Sequence, residues 1–242
     1  MVTNEVIIDG DFNSDEVKAL RDEADIIVTN PPFSLFRKFL AWIMEGQKQF
    51  LILGALGAIG YKEVFPYIQN NQVWLGANSI VSLLFEVPDD AAKYTKIIGG
   101  KKYMAAPCTW FTNIDNIARH SDIPYLTMEQ HELLGHEFYT YTNFDAIDVP
   151  NAASIPIDYE GVMGVPINFM LNYNPDKFEL IGVGGGDLGK SIGIGANLTD
   201  DAFLELKKKT KSHIGPSDLV YIDKDNKLIA PFTRLLIRRR FE

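Results

Sequence analysis

Asn30-Pro31-Pro32-Phe33 brings together a carboxamide, a backbone carbonyl set between prolines and an aromatic ring. Proline locks its own φ, lacks an N–H and pushes the residue before it out of the helical region, so Asn30 and Pro31 are both held extended or turned. The carbonyls at this corner are left without ladder partners. Two fixed acceptors beside a ring suit an exocyclic amino group on a flat base. Each acceptor takes one amino hydrogen, and the base stacks on the ring once it is flipped from a duplex. The same four residues also read as a turn that merely ends a strand, and short motifs carry a high false-positive risk.

The corner needs a strand before it and a helix after it. Residues 26–28 form an apolar, β-branched run that suits a strand buried on both faces. After Phe33 the period changes: Leu35, Phe39 and Ile43 recur every four residues, as do Phe36, Leu40 and Met44, and Gly46 follows as a stop. In an open α/β sheet, ligands bind at the carboxyl ends of strands, which is where this corner falls. Upstream, Ser14 followed by Asp15 and Glu16 is an N-cap with acids at the positive end of a helix running to about Glu23. Downstream, strands are expected at 50–53, 72–75, 79–87 and 108–114, a helix over 61–69, and a lysine-bearing loop at Lys101 and Lys102. Alternating strand and helix points to an α/β sheet with mostly parallel strands. Prolines 124, 150, 156, 166 and 175 break the later chain into short pieces.

Beyond the corner, the run from Ala24 to Arg37 resembles the EcoRI-type adenine-specific DNA methyltransferase family. The resemblance continues through Tyr61-Lys62-Glu63-Val64-Phe65-Pro66, Trp74-Leu75-Gly76 and Trp110-Phe111-Thr112-Asn113. It takes in the Gly161-Val162-Met163-Gly164-Val165-Pro166-Ile167 block, Asn174-Pro175 and Arg234-Leu235-Leu236-Ile237-Arg238, so it spans nearly the whole chain. It implies site-specific N6 methylation of adenine in double-stranded DNA, with S-adenosylmethionine as cofactor, within a restriction-modification system. Asn30, Pro31, Pro32 and Phe33 would be the catalytic residues. Asp11 and Phe12 resemble the family motif that touches the adenine ring of the donor, although the residues alone favour an aspartate that caps the next helix. The implied layout is a partial, Rossmann-like methyltransferase domain over 1–122 and a smaller α+β target-recognition region over 123–242.

In this family the Gly-rich turn and the acidic residue that hold the donor precede the Asp-Phe motif. Only ten residues stand before Asp11 here, whereas a strand-helix-strand unit needs about 30. The expectation is a truncated or split form, inactive alone, whose sheet lacks its first two strands between those at 6–8 and 26–28. The exposed edges would be covered by self-association or by a separately encoded N-terminal half. A DNA-binding or assembly remnant without catalysis is the alternative.

Composition is that of a soluble globular chain: 242 residues, 46% hydrophobic and 23% charged. No apolar run nears the roughly 20 residues that cross a bilayer, and the acidic start lacks a signal-peptide layout. With Cys108 as the only cysteine, no disulfide can form within the chain, which suits the cytoplasm. A net charge of −9 is awkward for a DNA-binding protein. Residues 206–242, however, hold ten Lys and Arg against four acids, a local +6 that leaves −15 elsewhere. Lys207, Lys208, Lys209, Lys211, Arg238, Arg239 and Arg240 are therefore the candidate DNA contacts, a solvated charged face being the plainer reading.

Two further patterns are weaker. Gly184-Gly185-Gly186-Asp187-Leu188-Gly189-Lys190-Ser191 has phosphate-loop spacing, but Gly193 and Gly195 weaken the helix it must open, so a flexible glycine loop touching DNA is expected instead. His131 and His136 lie five apart, about 140° around a helix, and would diverge. No metal site is inferred.

Overall fold

The computed structural model describes residues 11–77, 81–121, 124–196, 199, 204, 208 and 214–241, without the side chains of 81–83 and 106. The strand expected at 6–8 lies outside the described residues. Ser14 caps α1 (Asp15–Glu23), its hydroxyl accepting from the Val17 amide at 3.4 Å. β1 (Ile26–Thr29) runs into the proline corner, and a turn of 3-10 helix (Phe33–Leu35) leads into α2 (Phe36–Glu45). α2 buries Phe36, Leu40 and Ile43, which share one helical face, together with Trp42. The chain leaves α2 through Gln47, whose φ of +52° takes the left-handed conformation.

β2 (Gln49–Ala55) lies parallel to β1. The helix expected over 61–69 starts only at α3 (Phe65–Gln69), because Pro66 is tolerated in a first turn and not inside a helix. β3 (Trp74–Leu75), β4 (Val81–Glu86), β5 (Lys96–Ile98) and β6 (Lys101–Thr112) complete the first sheet. Lys101 and Lys102 open β6 rather than forming a loop. The turn is Gly99-Gly100, with φ of +56° and +82°, and Ile98 pairs with Lys101 across it, the two-residue hairpin that glycine permits.

The order β1-β2-β6-β3 corrects the expected parallel sheet. β1, β2 and β3 do point the same way, but β6 inserts antiparallel between β2 and β3. Its second half, from Cys108 to Thr112, fills that gap, while its first half extends beyond to pair with β4 and β5. Apolar composition marks a buried strand and not its direction. β1 is also not buried on both faces: among the described residues it pairs only with β2, and Ile26 and Val28 are 47% and 64% exposed.

After α4 (Met128–Leu133) the chain builds a second sheet from β7 (Tyr139–Thr140), β8 (Ile147–Asp148), β9 (Met163–Pro166), β10 (Phe178–Gly184) and, last, β13 (Arg234–Arg239). α5 (Gly186–Ser191) and the hairpin β11 (Tyr221–Ile222) and β12 (Leu228–Ile229) intervene. The order is β10-β13-β9-β8-β7, antiparallel except for β8 and β9. Described residues from both sides of the boundary expected near 122 pack together. Phe36, Phe50 and Phe111 share one core with Phe169, Phe178, Leu235 and Ile237. Gln69 Nε2 also donates to the Leu180 and Ile181 carbonyls at 3.0 and 3.1 Å. Within the second sheet, buried Asp148 accepts from Arg234 at 2.9 and 3.3 Å and from the Tyr141 hydroxyl at 2.5 Å.

Candidate functional site

β1 delivers its last residue, Thr29, directly into the corner. The Pro32 carbonyl accepts the Leu35 amide at 2.8 Å, which closes the turn into α2. That leaves the Asn30 carboxamide and the Pro31 carbonyl without a described hydrogen-bond donor. Asn30 is exposed, Pro31 buried and Phe33 half-buried. Beside them opens a hollow of about 540 Å³ lined by Asn30, Pro31, Pro32 and Phe33 together with Phe85 and Met104. This volume is in the range that holds a small organic ligand. Phe85 of β4 and Met104 of β6 are register partners, 43% and 36% exposed. Sequence reasoning missed both. The available signal was the adjacent apolar pair Leu84-Phe85, which in an alternating strand puts one apolar side chain on each face.

The corner rests on packed aromatic rings. Phe36, at the start of α2, is buried with its centroid 4.8 Å from that of Phe111. β2 passes close enough that a Cβ on Gly54 would lie 2.4 Å from the Phe36 ring, so only glycine fits there. On the outer side Arg37 pairs with Glu63 at 3.3 Å and lies over the Tyr61 ring at 5.3 Å.

Asp11 and Phe12 sit at the entrance to α1. Asp11 Oδ1 accepts from both the Asn13 amide and Asn13 Nδ2 at 2.9 Å, and these bonds hold its carboxyl below the usual range. The Phe12 ring packs edge-on against Phe39 and Trp42, at 5.4 and 5.8 Å. Asp11 therefore caps its own turn and Phe12 makes a packing contact.

Against known proteins, the family described as "Adenine-specific methyltransferase EcoRI" matches residues 2–240. The chain belongs to this EcoRI methyltransferase family. It is 43% identical over 181 residues to "Type II methyltransferase M.EcoRI" of Escherichia coli, covering 72% of this chain and 54% of that protein. To "Type II methyltransferase M.MpnI" of Mycoplasma pneumoniae it is 36% identical over 179 residues, 71% of this chain and 56% of that one. A third relative, "Type II methyltransferase M.MgeORF184P" of Mycoplasma genitalium, is 37% identical over 180 residues, with 71% and 56% covered. The chain spans about half the length of the curated relatives it matches. No solved structure matches it.

In this EcoRI-family chain the described basic residues near the end are Lys208, Lys224, Lys227, Arg234, Arg238, Arg239 and Arg240. Lys207, Lys209 and Lys211 lie outside the described residues, and Lys208 is helical and exposed. Arg238 and Arg240 are exposed, Arg238 reaching Glu179 on the neighbouring strand at 3.9 Å. Strand alternation puts Arg239 on the other face, where it is half-buried.

The remaining motifs also take definite forms. The glycine run is not a flexible loop: α5 follows β10 at once and ends before Gly193 and Gly195, at φ +85° and +74°. The Asp218 carboxylate crowds its start, 2.9 Å from where a Gly185 Cβ would stand, and accepts the Gly215 amide at 2.8 Å. His131 and His136 do not diverge. α4 stops at Leu133, Gly135 turns back at φ +75°, and the two Nδ1 atoms meet at 2.8 Å. Among the described residues no cluster of three or more His, Cys, Asp or Glu could hold a metal, and no helix is long and apolar enough to cross a membrane.

Proposed function

We propose that this chain carries the base-binding part of a site-specific DNA adenine N6-methyltransferase of a restriction-modification system. The observation that supports this is the exposed, unpaired Asn30 carboxamide beside the Pro31 carbonyl, in the lining of a hollow shared with Phe33, Phe85 and Met104. An adenine flipped into the hollow stacks on Phe33 and lies against Phe85 and Met104. Its N6 hydrogens go to the Asn30 oxygen and the Pro31 carbonyl. Holding both hydrogens keeps the nitrogen lone pair out of conjugation with the ring and available to accept a methyl group. No general base is required before transfer, because the product loses its proton readily to water. S-adenosylmethionine, when bound, supplies the electrophilic methyl group.

Double-stranded DNA is the partner in this reading. Among the described residues β1 pairs on one side only, with Ile26 and Val28 exposed, which supports a further strand from a second copy or from a separately encoded half lying against it. The test is to express the chain, alone and with the N-terminal half of a relative, in a host without adenine methylation and to map N6-methyladenine by single-molecule sequencing. Methylation at one recurring sequence, reduced by Phe33→Ala, is the expected result. No methylation in either arm overturns the proposal.

A further inference from the structure

A second cavity, of about 250 Å³, lies where the start of β10 meets the end of β13. Ser121, Tyr125, Asn174, Lys177, Phe178 and Arg239 are among its lining residues. Two of its polar atoms are buried without a partner among the described residues: the Tyr125 hydroxyl and Arg239 Nε. Tyr125 is fixed by a T-shaped contact with Phe178 at 5.8 Å, and Arg239 is the register partner of Phe178 on the adjacent strand. Burial pushes the Tyr125 hydroxyl up to about 12, so it stays protonated and able to donate. Asn174 spends Oδ1 on the Asp176 amide at 2.9 Å, so what it can still offer a ligand is its Nδ2 hydrogens.

The groups on offer are thus of one kind. A guanidinium has donors only, a protonated phenol donates, and a carboxamide whose oxygen is taken can offer only its nitrogen. No described residue lining the cavity is acidic. Buried donors left unpaired are rare in folded proteins, and each one calls for a ligand or water that accepts. A single oxyanion satisfies several donors at once and also neutralises Arg239, which neutral water does not.

We propose that this cavity binds a phosphate-type oxyanion, with Arg239 as its ion-pair partner and Tyr125 and Asn174 as hydrogen-bond donors. The source is either a free phosphate or a phosphodiester of bound DNA, and neither depends on the role of Asn30.

The test uses the full chain. Its thermal midpoint is followed against inorganic phosphate at fixed ionic strength, with chloride as the balancing salt, for wild type, Tyr125→Phe and Arg239→Gln. Phosphate should raise the wild-type midpoint above the chloride control. Tyr125→Phe removes an unpaired hydroxyl, so it should fold as well as wild type yet bind phosphate about tenfold more weakly. Arg239→Gln should abolish the shift. In the second arm, binding of a mixed-sequence duplex is measured against salt. A slope of log K on log[salt] that falls by about 0.9 in Arg239→Gln assigns the site to a backbone phosphate. Loss of the phosphate shift with an unchanged slope assigns it to a free anion. If both variants keep the wild-type phosphate response and the wild-type slope, or if phosphate does no more than chloride and the slope is also unchanged, the inference fails.

Discussion

Asn30→Ala should separate chemistry from folding. Asn30 is exposed and its carboxamide has no partner among the described residues, so truncating it removes no native interaction. Surface substitutions of this sort change stability by about 0.5 kcal/mol or less. In a chain of this size that moves the thermal midpoint by roughly 2 °C or less. The expected effect on methyl transfer is far larger. Loss of one preorganised polar group aimed at charge that develops in the transition state costs about 10²- to 10³-fold in rate. Asn30→Asp keeps an acceptor oxygen at the same place and should lose less than Asn30→Ala. The measurements are a thermal melt and a tritiated-methyl transfer assay under single-turnover conditions with saturating duplex, in the preparation in which wild type is active. A midpoint lowered by 5 °C or more, or an activity loss smaller than tenfold, would show that Asn30 supports the fold and does not hold the reacting amino group.

Four more outcomes are expected. Phe85→Ala should weaken base binding in a fluorescence assay with a 2-aminopurine-substituted duplex while leaving the melting curve within about 2 °C of wild type, because the ring is part-exposed and lines the hollow. Arg234→Ala strands the buried Asp148 carboxylate and should cost about 3–5 kcal/mol in denaturant unfolding, a loss under 1 kcal/mol contradicting the role of that pair. Gly54→Ala should cost about 1–3 kcal/mol through its clash with Phe36, and Phe36→Leu should relieve part of that penalty, which a double-mutant cycle would reveal as coupling. Burial, and then the neighbouring His136, lowers the pKa of His131 below its ordinary 6.5. The unfolded chain therefore binds the extra proton more readily. The contribution to stability should be complete above about pH 6.5 and be lost as pH falls through the lowered folded value, and His131→Leu should flatten that slope.

What could be read along the chain was whatever acts over a few residues. Ser14 caps α1, the apolar faces of α2 follow the four-residue spacing, and the prolines hold the corner between β1 and α2. Each depends on a φ restriction, a cap or a period carried by the residues themselves. Tertiary structure decided what depends on distant pairing. The insertion of β6 between β2 and β3 makes the sheet mixed, and its register with β4 brings Phe85 opposite Met104 in the lining of the hollow. The reversal at Gly135 sets two histidines face to face, and the pairing of β13 with β10 sends Arg239 into a cavity while Arg238 and Arg240 remain outside. No local signal carries these outcomes, because a strand's direction and partners are chosen by the whole core and not by its own composition.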